Sequence, residues 1–157
     1  TVLLQEIDDW PEGGLLVAAS NHQELLDPAV WRRFELQIQF ELPSREAIRQ
    51  SLQLFIDDDS ELDNTWISAL TEVLVGQSFS DIERQVKLLR RQAVLKGCRL
   101  SELFPVLIRQ YIDECPKAAK KEIALRLSET GLSQRAINDL TGLSRDTLRK
   151  LGNTEQE

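Results

Sequence analysis

The sequence predicts a mainly α-helical protein that opens with a short parallel α/β segment. Three observations carry this reading. Apolar residues recur at three- and four-residue spacing through most of residues 44–151. Strand-like patterns are confined to Leu15–Ala19 and Phe34–Leu42, and a helix start lies between them, so the order helix, strand, helix, strand is that of a parallel α/β layer.

Taken in order, Leu3, Leu4 and Ile7 sit at helical spacing within residues 1–10, and Pro11-Glu12-Gly13-Gly14 stops that helix. Leu15–Ala19 is a continuous apolar run, the mark of a strand covered on both faces. Asp27 can cap a helix whose first residue is Pro28, where a missing N–H costs nothing. Phe34, Leu36, Ile38, Phe40 and Leu42 alternate with polar residues up to Pro43, the period of a strand. Beyond Pro43 only helices are expected. Ser44 caps one to about Ile56, Asn64 caps a second, and Ser80 with Glu83 forms a capping box for a third that carries Ile82, Val86, Leu89 and Ala93 on one face. Pro105 opens a segment through Ile112, and Pro116 opens another through Thr130 that Gly131 ends. Two short helices, Ser133–Leu140 and Ser144–Leu151, precede a frayed tail at 152–157.

The composition excludes several classes. With 41% hydrophobic residues, 19 basic and 26 acidic side chains in 157 residues, the chain is neither disordered nor membrane-spanning. Cys98 and Cys115 make no disulfide framework and no CxxC pair, which points to a reducing cytoplasm. Methionine is absent and no signal peptide stands at the start, so the chain is expected to be a piece of a longer protein. The net charge of −7 is unevenly spread. Residues 1–83 hold 4 basic and 17 acidic side chains, whereas residues 117–151 hold 8 basic and 4 acidic.

Leu15–Pro43 contains, in order, an apolar strand, Ser20-Asn21, Leu26-Asp27-Pro28-Ala29, Arg32-Arg33-Phe34 and a second strand closing on Pro43. Upstream stands LLQEID at 3–8, and downstream SFSDIE at 78–83. This succession resembles the second half of the AAA ATPase module, in the branch that includes katanin and spastin. The resemblance covers about residues 1–96. It implies a partial AAA α/β core over 1–43 and a helical lid over 44–98, followed here by connecting helices over 99–130.

The resemblance also implies roles. Asn21 would be the sensor-1 amide at the carboxyl edge of a parallel strand, orienting the water that attacks the γ-phosphate. Arg32 and Arg33 would be arginine fingers that reach the nucleotide of a neighbouring subunit in a hexameric ring, with Arg33 the closer match because Phe34 follows it. By residue type alone, Asn21 could instead cap the turn after the strand, and the Arg pair could compensate a helix end. In the lid, Ser80 and Asp81 stand where relatives place an arginine sensor, and Arg84 follows one turn later. ATP and Mg²⁺ would serve the parent protein. The chain itself has no GxxxxGK[ST] and no apolar strand ending in Asp-Glu, so alone it is expected neither to hold ATP tightly nor to hydrolyse it.

A second pattern lies at 131–151, where Gly142 between Leu140 and Leu143, with Leu148 and Leu151 beyond, resembles a helix-turn-helix. Asn138 occupies the position, four before the glycine, that is usually a small Ala. The second helix would offer Ser144, Arg145, Asp146 and Arg149 to base edges, with Lys150, Lys117, Lys120 and Lys121 for phosphates. A helical hairpin for protein contact remains the other reading of the same residues. Arg84, Lys87 and Arg91 read as a solvated stripe, His22 as a surface residue, and the acidic run Asp57–Asp63 lacks the Gly and Glu of a calcium loop. Two functions follow as expectations: part of an AAA ATPase that couples hydrolysis in a ring to remodelling of a macromolecular partner, or a DNA-binding regulatory module that carries an inactive ATPase remnant.

Overall fold

The computed structural model describes residues 2–11, 13–56, 63–144 and 146–148. They form two compact units, Thr1–Glu41 and Leu42–Glu157. The mainly helical expectation holds: the described residues contain eight α-helices and no strand.

The first unit holds α1 (Val2–Asp8) and the four-residue α2 (Pro28–Trp31). Asp27 caps α2 as its sequence predicts, accepting from the Ala29 N–H at 2.8 Å. The two expected strands are the point of difference. Residues 15–19 and 34–42 run without ladder partners among the described residues, and Leu15, Val17 and Phe40 are 85%, 77% and 92% exposed. A strand is made by its neighbours, because an unpaired extended segment leaves its N–H and C=O groups to water. The period-2 apolar face of Phe34–Leu42 therefore exists in sequence but has no sheet to cover it here.

The second unit is built from α3 (Arg45–Phe55), α4 (Asn64–Leu74), α5 (Phe79–Lys96), α6 (Phe104–Glu114), α7 (Lys117–Glu129) and α8 (Gln134–Thr141). Ser44 caps α3 and Ser133 caps α8, each accepting a backbone N–H three residues on. Two caps differ from expectation. Asp63, not Asn64, caps α4, accepting from Thr65 at 2.9 Å. That hydrogen bond holds the Asp63 carboxyl below its ordinary value of 3.8. α5 starts at Phe79, so its cap is Ser78, and the expected Ser80–Glu83 box is not formed. Ser78 Oγ accepts from the Asp81 N–H at 3.2 Å and donates to Asp81 Oδ2 at 2.7 Å, while Glu83 turns to Lys87 one turn later. Ser78→Ala is expected to cost about 1 kcal/mol in urea unfolding of the chain, against about 0.5 kcal/mol or less for Ser80→Ala. Equal losses at the two serines would put the cap back at Ser80.

One hydrophobic core runs through all six helices, from Ile48 and Leu52 of α3, through Leu70, Ile82, Phe104 and Ile108, to Leu127 of α7 and Ile137 and Leu140 of α8. The segments 44–98, 99–130 and 131–151 all contribute to it. α4 packs against α3, α6 and α7, and α8 against α6 and α7. Among the described residues no helix is long and apolar enough to cross a membrane.

Candidate functional site

In the first unit, the run from Leu15, which forms no regular element, ends at a bend at Asn21. The turn there is closed by Ser20, whose Oγ accepts the His22 N–H at 3.0 Å. Capping is therefore not the task of Asn21, whose side chain is exposed and makes no hydrogen bond among the described residues. His22 Nδ1 lies 3.4 Å from Glu24 Oε1, both at the surface.

Arg32 and Arg33, adjacent in sequence, are held differently. Arg32 ends α2 through its backbone N–H, and its exposed side chain has no hydrogen-bond or ionic partner among the described residues. Arg33 is anchored on three sides. Its Nε donates to Asp8 Oδ1, its Nη2 to Asp8 Oδ2 at 2.8 Å, and its Nη1 to the Ala29 carbonyl at 2.9 Å. The planar fork matches a carboxylate two-to-two, a geometry a lysine could not reproduce. The hydrogen bonds from Arg33 hold the Asp8 carboxyl below 3.8, and those to Asp8 raise the Arg33 guanidinium further above its ordinary value. A guanidinium has five N–H donors. With three engaged, two remain to meet an anion, and the side chain is 32% exposed.

In the second unit, the residues expected near a nucleotide gather at the first turns of α5. Ser80 and Arg84 are exposed, and Asp81 is half-buried. Asp81 is fully engaged within its own helix: Ser78 donates to one carboxylate oxygen, and Arg84 Nη2 to the other at 2.6 Å. Tyr111 of α6 lies close by, and burial first, then the charges of Asp81 and Glu114, push its phenol up. Arg84 is thus paired to Asp81 rather than standing as an isolated cation.

The terminal pattern is resolved up to the start of its second helix. Gly142 takes the left-handed conformation, φ 67°, and ends α8 with its N–H on the Asn138 carbonyl. Asn138, the unusual residue of the motif, closes the turn, since its Nδ2 donates to the Leu143 carbonyl at 2.5 Å. Thr141 Oγ1 accepts from the Leu143 N–H at 3.2 Å. Ser144 is exposed and caps the next turn, its Oγ accepting from the Thr147 N–H at 3.2 Å. Asp146 is exposed beside it. Arg145, Arg149 and Lys150 lie outside the described residues.

Sequence reading missed Asp8, Ser78 and the task of Asn138. Ser78 was findable, because Ser-x-x-Asp at 78–81 carries the same cap spacing as the serine two residues on. Nothing local marks Asp8, which lies 25 residues from Arg33. Among the described residues no group of three or more His, Cys, Asp or Glu is placed to hold a metal ion.

Similarity to known proteins agrees with an ATPase of the AAA class. The chain is 29% identical over 134 residues to a 26S proteasome regulatory subunit homolog of Methanothermobacter marburgensis, covering 83% of this chain and 31% of that protein. It is 39% identical over 83 residues to an uncharacterized AAA family ATPase of Sinorhizobium fredii, covering 52% of this chain and 24% of the relative. It is 31% identical over 96 residues to a proteasome-associated ATPase of Mycobacterium leprae, covering 52% and 16%. The chain therefore spans about a third or less of the length of these curated relatives. No protein-family profile matches it, and no solved structure does.

Proposed function

We propose that these residues form the part of an AAA ATPase that lies beyond its phosphate loop and metal-binding strand, in a katanin- and spastin-like arrangement. Asn21 acts as sensor 1, and Arg33 with Arg32 faces the nucleotide of the next subunit in a hexameric ring. Residues 44–98 act as the lid, with Ser80, Asp81 and Arg84 on its nucleotide side, and 99–130 connect it to a helix-turn-helix at 131–151. ATP and Mg²⁺ are the cofactors of the assembled enzyme, which works in the cytoplasm to remodel a macromolecular partner.

The observation that carries this reading is the order of Asn21, Asp27-Pro28-Ala29, Arg33 and Pro43, in a chain similar to a protein named as an AAA family ATPase. The exposed apolar rows at 15–17 and 36–42 support it, since they are the faces that a sheet from other polypeptide would cover. The free Asn21 amide supports it too. These 157 residues contain no phosphate loop, so that cradle has to come from another stretch of polypeptide. In the assembled ATPase, Asn21→Ala is expected to lower turnover by about 10²-fold or more while ATP affinity holds. Unchanged turnover would remove Asn21 from the chemistry.

For the terminal helices, the excess of four positive charges over 117–151 in an otherwise acidic chain favours duplex DNA as the partner. Binding of the protein to duplex DNA is expected to fall steeply with salt, and further when Arg145 and Arg149 are replaced by Ala. Absent or salt-independent binding would make 131–151 a protein-contact hairpin. If DNA binds but the assembled protein turns over no ATP, the regulatory module with an inert ATPase remnant is the correct reading.

A further inference from the structure

Arg33 is clamped by two elements far apart in the chain. Asp8, the last residue of α1 and 25 residues away, accepts from Nε and Nη2 with its two carboxylate oxygens. On the other side, the Ala29 carbonyl accepts from Nη1. Ala29 is itself placed by the Asp27 cap, which accepts the Ala29 N–H at 2.8 Å, and the Arg33 N–H is tied to the Val30 carbonyl at 3.2 Å. Backbone and guanidinium of Arg33 are thus fixed together.

The clamp leaves both terminal nitrogens able to donate once more. Nε carries one N–H and each terminal nitrogen two. Asp8 takes one from Nε and one from Nη2, and Ala29 takes one from Nη1, so Nη1 and Nη2 keep one each. Stability gains little from the pair, because Arg33 is 32% and Asp8 51% exposed. What the pair removes is rotamer freedom: an unpaired arginine samples many side-chain conformations, and each one away from the reacting geometry costs rate. Negative charge alone does not make the clamp. Asp9, next in the chain, is also exposed and makes no side-chain hydrogen bond among the described residues.

We propose that Asp8 is a positioning residue for ATP hydrolysis, holding the Arg33 guanidinium so that its two remaining N–H groups meet the phosphoryl oxygens of the nucleotide that Arg33 serves. The proposal deepens the arginine-finger reading of Arg33 given above and rests on it. Asp8 does not touch the nucleotide. Without it, Arg33 keeps its charge and still reaches the nucleotide part of the time, so losing Asp8 costs less than losing Arg33. The loss falls on kcat, where the donors meet developing charge, and not on the binding of ATP.

The test is the steady-state turnover of the assembled ATPase, with its assembled size checked by sedimentation. Asp8→Ala is expected to lower kcat by about 10- to 100-fold with KM for ATP within about twofold. Asp9→Ala, the same change in charge one residue on, should leave kcat within about twofold. Asp8→Glu keeps the two-oxygen acceptor and should recover part of the loss. If Asp8→Ala fails to assemble, Asp8→Asn keeps the shape with one acceptor oxygen in place of two, and its kcat should fall in the same direction. In an Arg33→Ala background, Asp8→Ala should change the residual turnover by less than about twofold, since no guanidinium is left to position. A further loss in that background as large as in the native one makes Asp8 merely structural and overturns the proposal. Unchanged or raised kcat in Asp8→Ala, with turnover lost in Arg33→Ala, overturns the positioning and leaves the finger reading standing. Unchanged turnover in Arg33→Ala overturns both.

Discussion

Replacing Arg33 with alanine in the assembled ATPase is expected to lower ATP turnover by about 10³- to 10⁵-fold, with ATP affinity nearly unchanged, the effect of withdrawing an arginine finger from a phosphoryl-transfer site. The size follows from charge that builds up on the transferred phosphoryl oxygens and is met by a donor already in place. The anchoring of Arg33 by Asp8 and the Ala29 carbonyl leaves two donors free on a guanidinium whose orientation is set. Arg32 has no such anchor, so Arg32→Ala should cost less. Arg33→Lys keeps the charge but loses the fork and should recover little. Unfolding does not confound this result. The Arg33–Asp8 pair is at the surface, where such pairs add little stability, and the Asp8 carboxylate left behind stays half-exposed. Turnover that survives Arg33→Ala rules Arg33 out as the finger. A loss on Arg32→Ala instead would move the assignment one residue earlier.

The second large effect is on stability. Phe104→Ala is expected to destabilise the second unit by about 3–5 kcal/mol, a large share of the roughly 5–15 kcal/mol that holds a typical domain folded. Phe104 is fully buried at the start of α6, the helix that meets both α4 and α8. Truncation therefore leaves a cavity in the core that α4, α6 and α8 share. Because they share one core, the helical signal should be lost in one cooperative urea transition with an earlier midpoint. Val106→Ala, on the exposed side of the same helix, should shift the midpoint little. Two separated transitions, with α7 and α8 melting apart from α3–α5, would show that the common core is not cooperative.

Asn138 and Ser78 show where reading a sequence succeeds and where it stops. The caps at Asp27 and Ser44 were legible because a cap concerns a side chain and a backbone N–H two or three residues on. The α5 start was misplaced by two residues because Ser78 and Ser80 both satisfy cap patterns, and only the helix that forms chooses between them. Asn138 looked like a departure from a helix-turn-helix, yet in place it ties the turn through the Leu143 carbonyl. Of the candidate site, the positions of Asn21 and Arg33 were readable from local order, whereas the Asp8 anchor was not. Its partner is 25 residues away, beyond the reach of any local signal.

The sequence by itself determined the helices of the second unit, their buried faces and most of their ends, because helical hydrogen bonds and amphipathic spacing act over three or four residues. It also set out the succession of Asn21, the Asp27–Ala29 helix start and Arg33 that carries the functional proposal. Only the tertiary structure decided which patterns were realised. The apolar run at 15–19 and the alternation at 34–42 are strand patterns with no ladder among the described residues, since a strand needs a neighbour that a local pattern cannot supply. Helices α7 and α8 joined the same core as α3–α6 because Leu127, Ile137 and Leu140 found their burial against α4 and α6, a choice made by packing between segments far apart in the chain.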